Sequence, residues 1–235
     1  MCHGKPSSRF PTPNEGAPFE GALHGFSFGQ EGSPRLAILP DIYGCNPFYK
    51  GLATYFAGQG LHVYLMNPFH ALGALPEMTR EAAFERRHKL RDRAYVEALE
   101  AFLEREEIGG VLGFCLGGLY IFELARRGYS GRMVAFYPFP QGLPNDDPLQ
   151  VPFEYLDGVS AKHSVLIGNN DPSLGPEVTA NLCAVAAKNP AIDLHVFEGS
   201  GHGFLADLDS DDAAKRANAE AAFAIAETVL APEFT

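Results

Sequence analysis

A cysteine framed by glycines is the residue of this chain best placed to do chemistry. It is Cys115, in the segment 113–117 (Gly-Phe-Cys-Leu-Gly), which follows an apolar run and precedes a helical pattern. A strand, a sharp turn and a helix form a nucleophile elbow, in which the central side chain stands above a sheet. Glycines are needed because side chains beside so tight a turn would collide. The positive end of the helix dipole favours a thiolate at this position.

The motif alone leaves two other interpretations open. A cysteine in an apolar segment is often a small core residue. Glycines between a strand and a helix also occur in dinucleotide-binding folds. The fingerprint of those folds is G-x-G-x-x-G, and Cys115 stands where its second glycine would be. The rest of the chain therefore decides among these interpretations.

An acidic residue and a histidine follow two later strands of the predicted sheet. Asp171 comes after the apolar run 164–168, and His202 lies in a glycine-rich segment after the run 194–197. Nucleophile, acid and histidine in this chain order match the order found in α/β-hydrolases. Since each residue lies just past the C-terminal end of a strand, one edge of the sheet would collect all three. The sequence therefore predicts a Cys115–His202–Asp171 triad.

Strands and helices alternate along the chain, which predicts an α/β fold with a mostly parallel sheet and helices on both faces. Apolar runs predict buried strands at 35–39, 61–66, 108–114, 132–137, 164–168 and 194–197. Helical spacing and capping residues predict helices at about 47–59, 80–106, 119–127, 176–188 and 211–230. The alternating segment 23–28 is predicted to be an edge strand, and 138–161 a long surface excursion bordering the site.

The length and composition of the chain predict one domain that is preceded by a short N-terminal arm. Residues 1–20 are rich in Pro, Gly, Ser and Asn, which indicates a flexible N-terminal arm. Residues 21–235 would then form a single α/β-hydrolase domain with a well-buried core.

The charge and the cysteine usage narrow the class of protein. The net charge is −11 and no Lys/Arg cluster is present, which argues against nucleic-acid binding and against docking on anionic membranes. No apolar run is long enough to span a bilayer, and no apolar signal core opens the chain, so we expect a cytoplasmic protein.

Four scattered cysteines without C-x-x-C spacing fit reduced thiols and give no zinc signature. We expect no metal and no cofactor, and a monomer or a homodimer.

With these motifs the chain resembles the dienelactone hydrolase family, cysteine enzymes of the α/β-hydrolase fold, over about residues 35–230. The most specific likeness is the segment 113–118, followed by Gly-Asn-Asn-Asp at 168–171 and the histidine segment at 198–204. The segment 41–44, Asp-Ile-Tyr-Gly, resembles the family's Glu-Ile-Phe-Gly after the first core strand.

The resemblance implies a role for each matching position. Cys115 would be the nucleophile, His202 the general base and acid, and Asp171 the carboxylate that orients the histidine. The backbone N–H groups of Ile42 and Leu116 would form the oxyanion hole. The implied activity is hydrolysis of a small-molecule ester or lactone through a thioester on the cysteine, with no cofactor.

Six further residues are candidates for substrate binding or gating: Asp41, Tyr43, Tyr137, Phe204, Arg86 and Arg87. Asp41 stands where the family has a glutamate that contacts the resting nucleophile, and its side chain is one methylene shorter. Enzymes that act on dienelactone also carry an arginine shortly after the catalytic histidine, and the segment 202–206 has none. Arg86 or Arg87 could hold a substrate carboxylate instead, whereas the mixed-charge run around them favours a solvated helix face.

Two functions without hydrolysis remain open from the residues. One is an α/β-hydrolase scaffold that binds a ligand or partner. The other is a redox-thiol protein that pairs Cys115 with Cys45 or Cys183. Cys45 lies just beyond the segment 41–44 and hence near the expected site, while Cys183 has the apolar helical spacing of a core residue. A disulfide would need the two Cα atoms within about 7 Å.

Overall fold

The computed structural model describes residues 6–11 and 14–231. Its eight strands are β1 (Ala17–Phe19), β2 (Gly25–Phe28), β3 (Arg35–Leu39), β4 (His62–Met66), β5 (Gly110–Phe114), β6 (Arg132–Phe136), β7 (His163–Gly168) and β8 (Ile192–Phe197). They form one sheet in the order β1-β2-β4-β3-β5-β6-β7-β8. The pairings β1–β2 and β2–β4 are antiparallel and all others are parallel. This is the predicted α/β-hydrolase architecture.

In the described part of the chain, six α-helices cover the sheet: α1 (Pro47–Gly58), α2 (Arg80–His88), α3 (Asp92–Arg105), α4 (Leu116–Arg126), α5 (Gly175–Ala186) and α6 (Ala213–Leu230). Asn46 caps α1 by accepting hydrogen bonds from two backbone N–H groups, and proline occupies the first turn, as the Asn-Pro pair predicts. Tyr55 of α1 packs against Phe223 of α6. None of the described helices is long and apolar enough to cross a bilayer.

Two expected elements differ from the structure. The single helix expected over 80–106 is divided into α2 and α3, because Arg91 has extended backbone and Leu90 is buried between the two helices. The strand expected at the sheet edge, β2, lies one position inside, because β1 pairs along its outer side. Helical and strand periodicity reports neither the burial of Leu90 nor the pairing of β1 with β2.

Several described residues of the segment expected as a flexible arm contact the rest of the molecule. The Phe10 ring is 5% exposed and packs edge-on against the rings of Phe48 and Phe223, with centroids 5.5 and 5.4 Å away. The backbone N–H of Ser8 donates to Asp209 Oδ1 at 3.0 Å. With β1 paired to β2, these contacts attach the described part of this segment to α1, α6 and the sheet edge. The first five residues of the segment, and residues 12–13, lie outside the described residues.

A buried ion pair joins α2 to α3 and to α4, the helix that follows the cysteine. Arg87 Nη2 lies 2.5 Å from Asp92 Oδ2, and the Tyr120 hydroxyl donates to Asp92 Oδ1 at 2.7 Å. Arg87 is 1% exposed and Asp92 is fully buried. Burial raises the pKa of Asp92, and the Arg87 charge and the Tyr120 hydrogen bond oppose that rise. The carboxylate therefore depends on its two partners to remain ionised inside the protein.

We predict that Arg87→Met lowers the free energy of unfolding by about 3–5 kcal/mol, because it leaves a buried carboxylate without its cation. Urea unfolding followed by circular dichroism measures this change. Arg91→Met is the matched control, since the Arg91 side chain is 76% exposed and its loss should cost no more than about 0.5 kcal/mol. Equal unfolding midpoints for the two variants would contradict the prediction.

Candidate active site

Cys115 lies on a strained turn between β5 and α4. Its backbone angles are φ 54° and ψ −106°, which few residues other than glycine adopt. The Cys115 N–H donates to the Phe136 carbonyl at 3.0 Å, and the Cys115 carbonyl accepts from the Leu119 N–H at 3.1 Å. The turn is therefore held by the neighbouring strand β6 and by the helix that it begins. This is the elbow geometry that the Gly-x-Cys-x-Gly spacing predicts.

The glycines of the elbow allow backbone to touch backbone. A Cβ atom at Gly117 would lie 2.1 Å from the Leu39 carbonyl oxygen, and one at Gly113 would lie 2.3 Å from the Gly117 carbonyl oxygen. No side chain fits either position, so the first turn of α4 rests directly on the ends of β3 and β5. The loop that follows β3 is brought beside Cys115 as a result.

That loop, residues 40–44, carries one of the two predicted oxyanion-hole donors. Ile42 and Tyr43 line the same cavity as Cys115. Asp41 is fully buried, and its Oδ1 accepts from the Tyr43 N–H at 2.8 Å. Leu116 is the first residue of α4, where backbone N–H groups have no partner within the helix. Ile42 and Leu116 therefore belong to two backbone segments that both border the thiol.

The histidine and the acid form a close pair. His202 Nδ1 lies 2.7 Å from Asp171 Oδ2, and the Ser173 N–H donates to Asp171 Oδ1 at 2.7 Å. The Asp171 side chain is fully buried. An ionised carboxylate accepts at both oxygens, so the proton of this contact belongs on His202 Nδ1. The other ring nitrogen, Nε2, is then the acceptor that can take a proton.

The loop that carries His202 is anchored by asparagine side chains and by backbone bonds. Asn169 Oδ1 accepts from the Gly199 N–H at 2.8 Å, and the Asn170 N–H donates to the Ser200 carbonyl at 3.0 Å. Asn218 of α6 donates to the Glu198 carbonyl at 2.8 Å. Asn218 was not a candidate from the sequence, because a single asparagine on a helix surface belongs to no recognisable motif.

Two aromatic rings pack against His202. Tyr137 and Phe139 have ring centroids 5.1 and 5.2 Å from the imidazole, and Phe139 also lines the cavity. Tyr137 is fully buried and packs against Phe204, which is 2% exposed. Neither Tyr137 nor Phe204 lines the cavity beside Cys115, and their expected part in substrate binding or gating stays a prediction. Phe139 belongs to the excursion 138–161, which thus borders the site.

The cavity above the cysteine has a volume of about 320 Å³. Cys115, His202, Ile42 and Tyr43 line it together with Arg80 and Phe84 of α2. The Arg80 guanidinium lies 5.3 Å from the centre of the Phe84 ring. Arg80 was not among the candidates from the sequence. The available signal was its i, i+4 spacing from Phe84, which puts both side chains on one face of the helix.

The two arginines that the sequence singled out are engaged elsewhere. Arg86 donates to the Ile42 carbonyl at 3.0 Å and to the Gly73 carbonyl at 3.3 Å. Arg87 pairs with Asp92 in the interior. Neither arginine lines the cavity beside Cys115, and the expectation that one of them holds a substrate carboxylate stays a prediction. Arg80 is the arginine that lines the cavity.

Cys45 is a poor partner for redox chemistry. Its thiol donates to the Met66 carbonyl at 3.2 Å, and burial raises its pKa to about 12, so little thiolate forms at neutral pH. No disulfide joins Cys45, Cys115 and Cys183 to one another, and Cys2 lies outside the described residues. Among residues 6–11 and 14–231, no group of three or more His, Cys, Asp or Glu side chains is placed to hold a metal ion.

Comparison with known proteins identifies close relatives. A model of the dienelactone hydrolase family matches residues 23–230. Carboxymethylenebutenolidase 2 of Cupriavidus pinatubonensis is 51% identical over 232 residues, which cover 98% of this chain and 99% of that protein. Carboxymethylenebutenolidase of Rhodococcus opacus is 30% identical over 225 residues, covering 88% of this chain and 87% of that protein.

Solved structures share the fold at low sequence identity. A candidate dienelactone hydrolase from Klebsiella pneumoniae superposes with a TM-score of 0.75 at 17% identity, covering 90% of this chain and 93% of that one. Esterase 2 of Thermogutta terrifontis gives a TM-score of 0.63 at 14% identity, covering 90% and 91% of the two chains. At such identities the likeness supports the α/β-hydrolase fold alone.

We predict that Gly117→Ala destabilises the protein by about 3 kcal/mol or more, because its Cβ would overlap the Leu39 carbonyl and the packed strand ends cannot retreat. Chemical unfolding measures the loss. Gly58→Ala in α1 is the matched control, since its Cβ would point into open space, and it should stabilise by about 0.4–1 kcal/mol. If both variants are as stable as the wild type, the close approach at the elbow does not constrain the fold.

Proposed function

The chain belongs to the dienelactone hydrolase family, and from this premise we propose that it hydrolyses an ester or lactone through a thioester on Cys115. The observation that carries the proposal is one cavity lined by the strained cysteine and by a histidine whose Nδ1 is paired with a buried carboxylate. The pairing leaves Nε2 of His202 as the base for the thiol. The helix N-terminus at Leu116 favours the resulting thiolate.

In the acylation step, His202 accepts the Cys115 proton and the sulfur attacks the substrate carbonyl carbon. The carbonyl oxygen becomes an oxyanion, which the backbone N–H groups of Ile42 and Leu116 stabilise. Asp171 stabilises the imidazolium that forms. When the tetrahedral intermediate collapses, the carbon–oxygen bond of the ester breaks and His202 protonates the leaving oxygen. The product of this step is a thioester on the cysteine.

In the deacylation step, His202 removes a proton from a water molecule that attacks the thioester. The acid product leaves, and the sulfur regains its proton from the imidazolium. A thiolate is itself a good leaving group, so a substrate with a poor leaving group would return to the starting ester. Enol lactones, activated esters and thioesters are therefore the substrates that suit a cysteine nucleophile.

Arg80 supports a substrate that carries a carboxylate. Arg80 places a positive charge in the lining of a cavity of about 320 Å³, whereas the chain as a whole has a net charge of −11. Both relatives above are named carboxymethylenebutenolidase, an enzyme name whose substrate part describes an unsaturated lactone with a carboxyl-bearing substituent. We propose the same substrate class for this chain, with the carboxylate at Arg80 and the lactone carbonyl over Cys115. The guanidinium would then replace the arginine that the segment 202–206 lacks.

We predict that hydrolysis of p-nitrophenyl acetate begins with a burst of nitrophenolate equal to the enzyme concentration. Cys115→Ala should lose the burst and at least about 10⁴-fold in turnover, because no acyl-enzyme can form. Stopped-flow absorbance measures both quantities. Cys183→Ala removes a free thiol from α5 and should retain the full burst. Equal turnover by wild type and Cys115→Ala would refute the nucleophile.

We predict that Arg80→Met raises KM about 10- to 100-fold for an ester or lactone that carries a carboxylate, because a hydrogen bond between charged groups is lost. The effect on neutral p-nitrophenyl acetate should be less than about threefold. Steady-state kinetics on a matched pair of substrates, one with a free carboxylate and one with its methyl ester, measures the difference. A loss of the same size on both substrates would assign Arg80 a structural role and not recognition of a carboxylate.

A further inference from the structure

Arg86 connects three backbone segments near the active site. Besides its hydrogen bonds to the carbonyls of Ile42 and Gly73, its guanidinium lies 4.1 Å from the centre of the Phe69 ring. The residue is 9% exposed. An arginine so placed has its rotamer fixed by packing, and its planar fork directs two donors at two carbonyls. Arg86 therefore holds the loop 40–44 against α2.

The peptide unit between Ile42 and Tyr43 is held at both ends. Its carbonyl accepts from Arg86 at 3.0 Å, and its N–H donates to Asp41 Oδ1 at 2.8 Å. Asp41 is fully buried, and its negative charge and the positive charge of Arg86 attract each other. Burial lowers the pKa of Arg86, and the negative charge of Asp41 opposes that change. The two side chains thus hold opposite ends of one peptide group.

We call these two contacts the clamp. The clamp also restricts the neighbouring N–H group, that of Ile42, which is a proposed donor of the oxyanion hole. The Ile42 N–H belongs to the preceding peptide unit and shares the Ile42 Cα atom with the clamped unit. Only the backbone torsions at that Cα separate the two groups, so fixing one peptide plane restricts the direction of the other. Electrostatic stabilisation of an oxyanion depends on donors that are already aimed before the reaction begins.

We propose that Arg86 is a positioning residue for the oxyanion hole, which aims the Ile42 N–H at the substrate carbonyl oxygen by holding the Ile42 carbonyl. This inference rests on the proposed hydrolase function. The adjacent Arg87 offers the contrast, since its guanidinium pairs with Asp92 of α3 in the interior. Two neighbouring arginines of α2 thus support different parts of the molecule.

The expected kinetic effect differs from that of a destabilised fold. Removing an oxyanion donor typically costs about 100- to 1000-fold in kcat. Loosening one donor should cost less, and we expect a fall of about 10- to 100-fold in the acylation rate. The substrate dissociation constant, taken from the concentration dependence of the burst rate, should stay within about twofold, because the oxyanion forms only after binding. Alkylation of Cys115 by iodoacetamide should stay within about twofold, because that reaction forms no oxyanion.

The experiment compares wild type, Arg86→Met, Arg86→Lys and the exposed control Arg91→Met. Stopped-flow acylation by p-nitrophenyl acetate and the rate of iodoacetamide alkylation are measured for each, with the thermal midpoint as a check of folding. Arg86→Met should lose acylation and keep alkylation. Arg86→Lys keeps the positive charge and can donate to one of the two carbonyls, so it should recover part of the loss. Arg91→Met should match the wild type in both rates.

Normal acylation by Arg86→Met would overturn the inference. A parallel loss of acylation and alkylation would also overturn it, since Arg86 would then support the Cys115–His202 pair or the fold in general. If Arg86→Met does not fold, Arg86→Lys decides by the same two rates. A wild type that shows no burst would instead refute the proposed function, and the inference with it. The two failures are therefore distinguishable.

Discussion

The direct contact of α4 with the ends of β3 and β5 is the constraint on which the site depends. It exists because Gly113 and Gly117 carry no side chain, so that backbone meets backbone at distances that any Cβ would forbid. The contact forces Cys115 into a strained turn, directs its sulfur above the sheet and puts the start of a helix beneath it. It also brings the loop after β3 beside the thiol. One steric condition thus sets the position of the nucleophile and of the backbone that would stabilise an oxyanion.

Buried carboxylates hold the elements around this contact, and each has a specific partner. Asp41 accepts from a backbone N–H inside its own loop and lies near the charge of Arg86. Asp92 pairs with Arg87, and Asp171 pairs with the imidazole of the site. An ionised carboxylate without partners would be costly in so buried a position, so each pair fixes the relative position of two segments. Pairs of this kind position the loop after β3, the helix α2 and the loop that carries His202.

The parts of the fold that follow from hydrophobic periodicity and motif spacing were predictable from the sequence, and the parts that follow from the packing and pairing of individual side chains were not. Apolar runs and glycine spacing identified the parallel strands and the elbow at Cys115, and the chain order of Asp171 and His202 suggested that they meet. The division of the helix predicted over 80–106 was missed because the burial of Leu90 and the pairing of Arg87 with a later residue end α2 early. Periodicity in a charged run reports which residues are polar and cannot report which of them faces a cavity.

The helix α2 shows why that distinction matters for function. Arg80 and Arg87 are seven residues apart, about two turns, so they share a side of the helix but lie at opposite ends of it. Arg80 reaches the cavity, while Arg87 reaches the core and Arg86, one residue before it, reaches the loop 40–44. Under the proposed function, a single short helix supplies the cation for the substrate and the clamp on an oxyanion donor. A shift of α2 would therefore change substrate recognition and transition-state stabilisation together, so variation in this helix is a direct route to altered specificity on an unchanged triad.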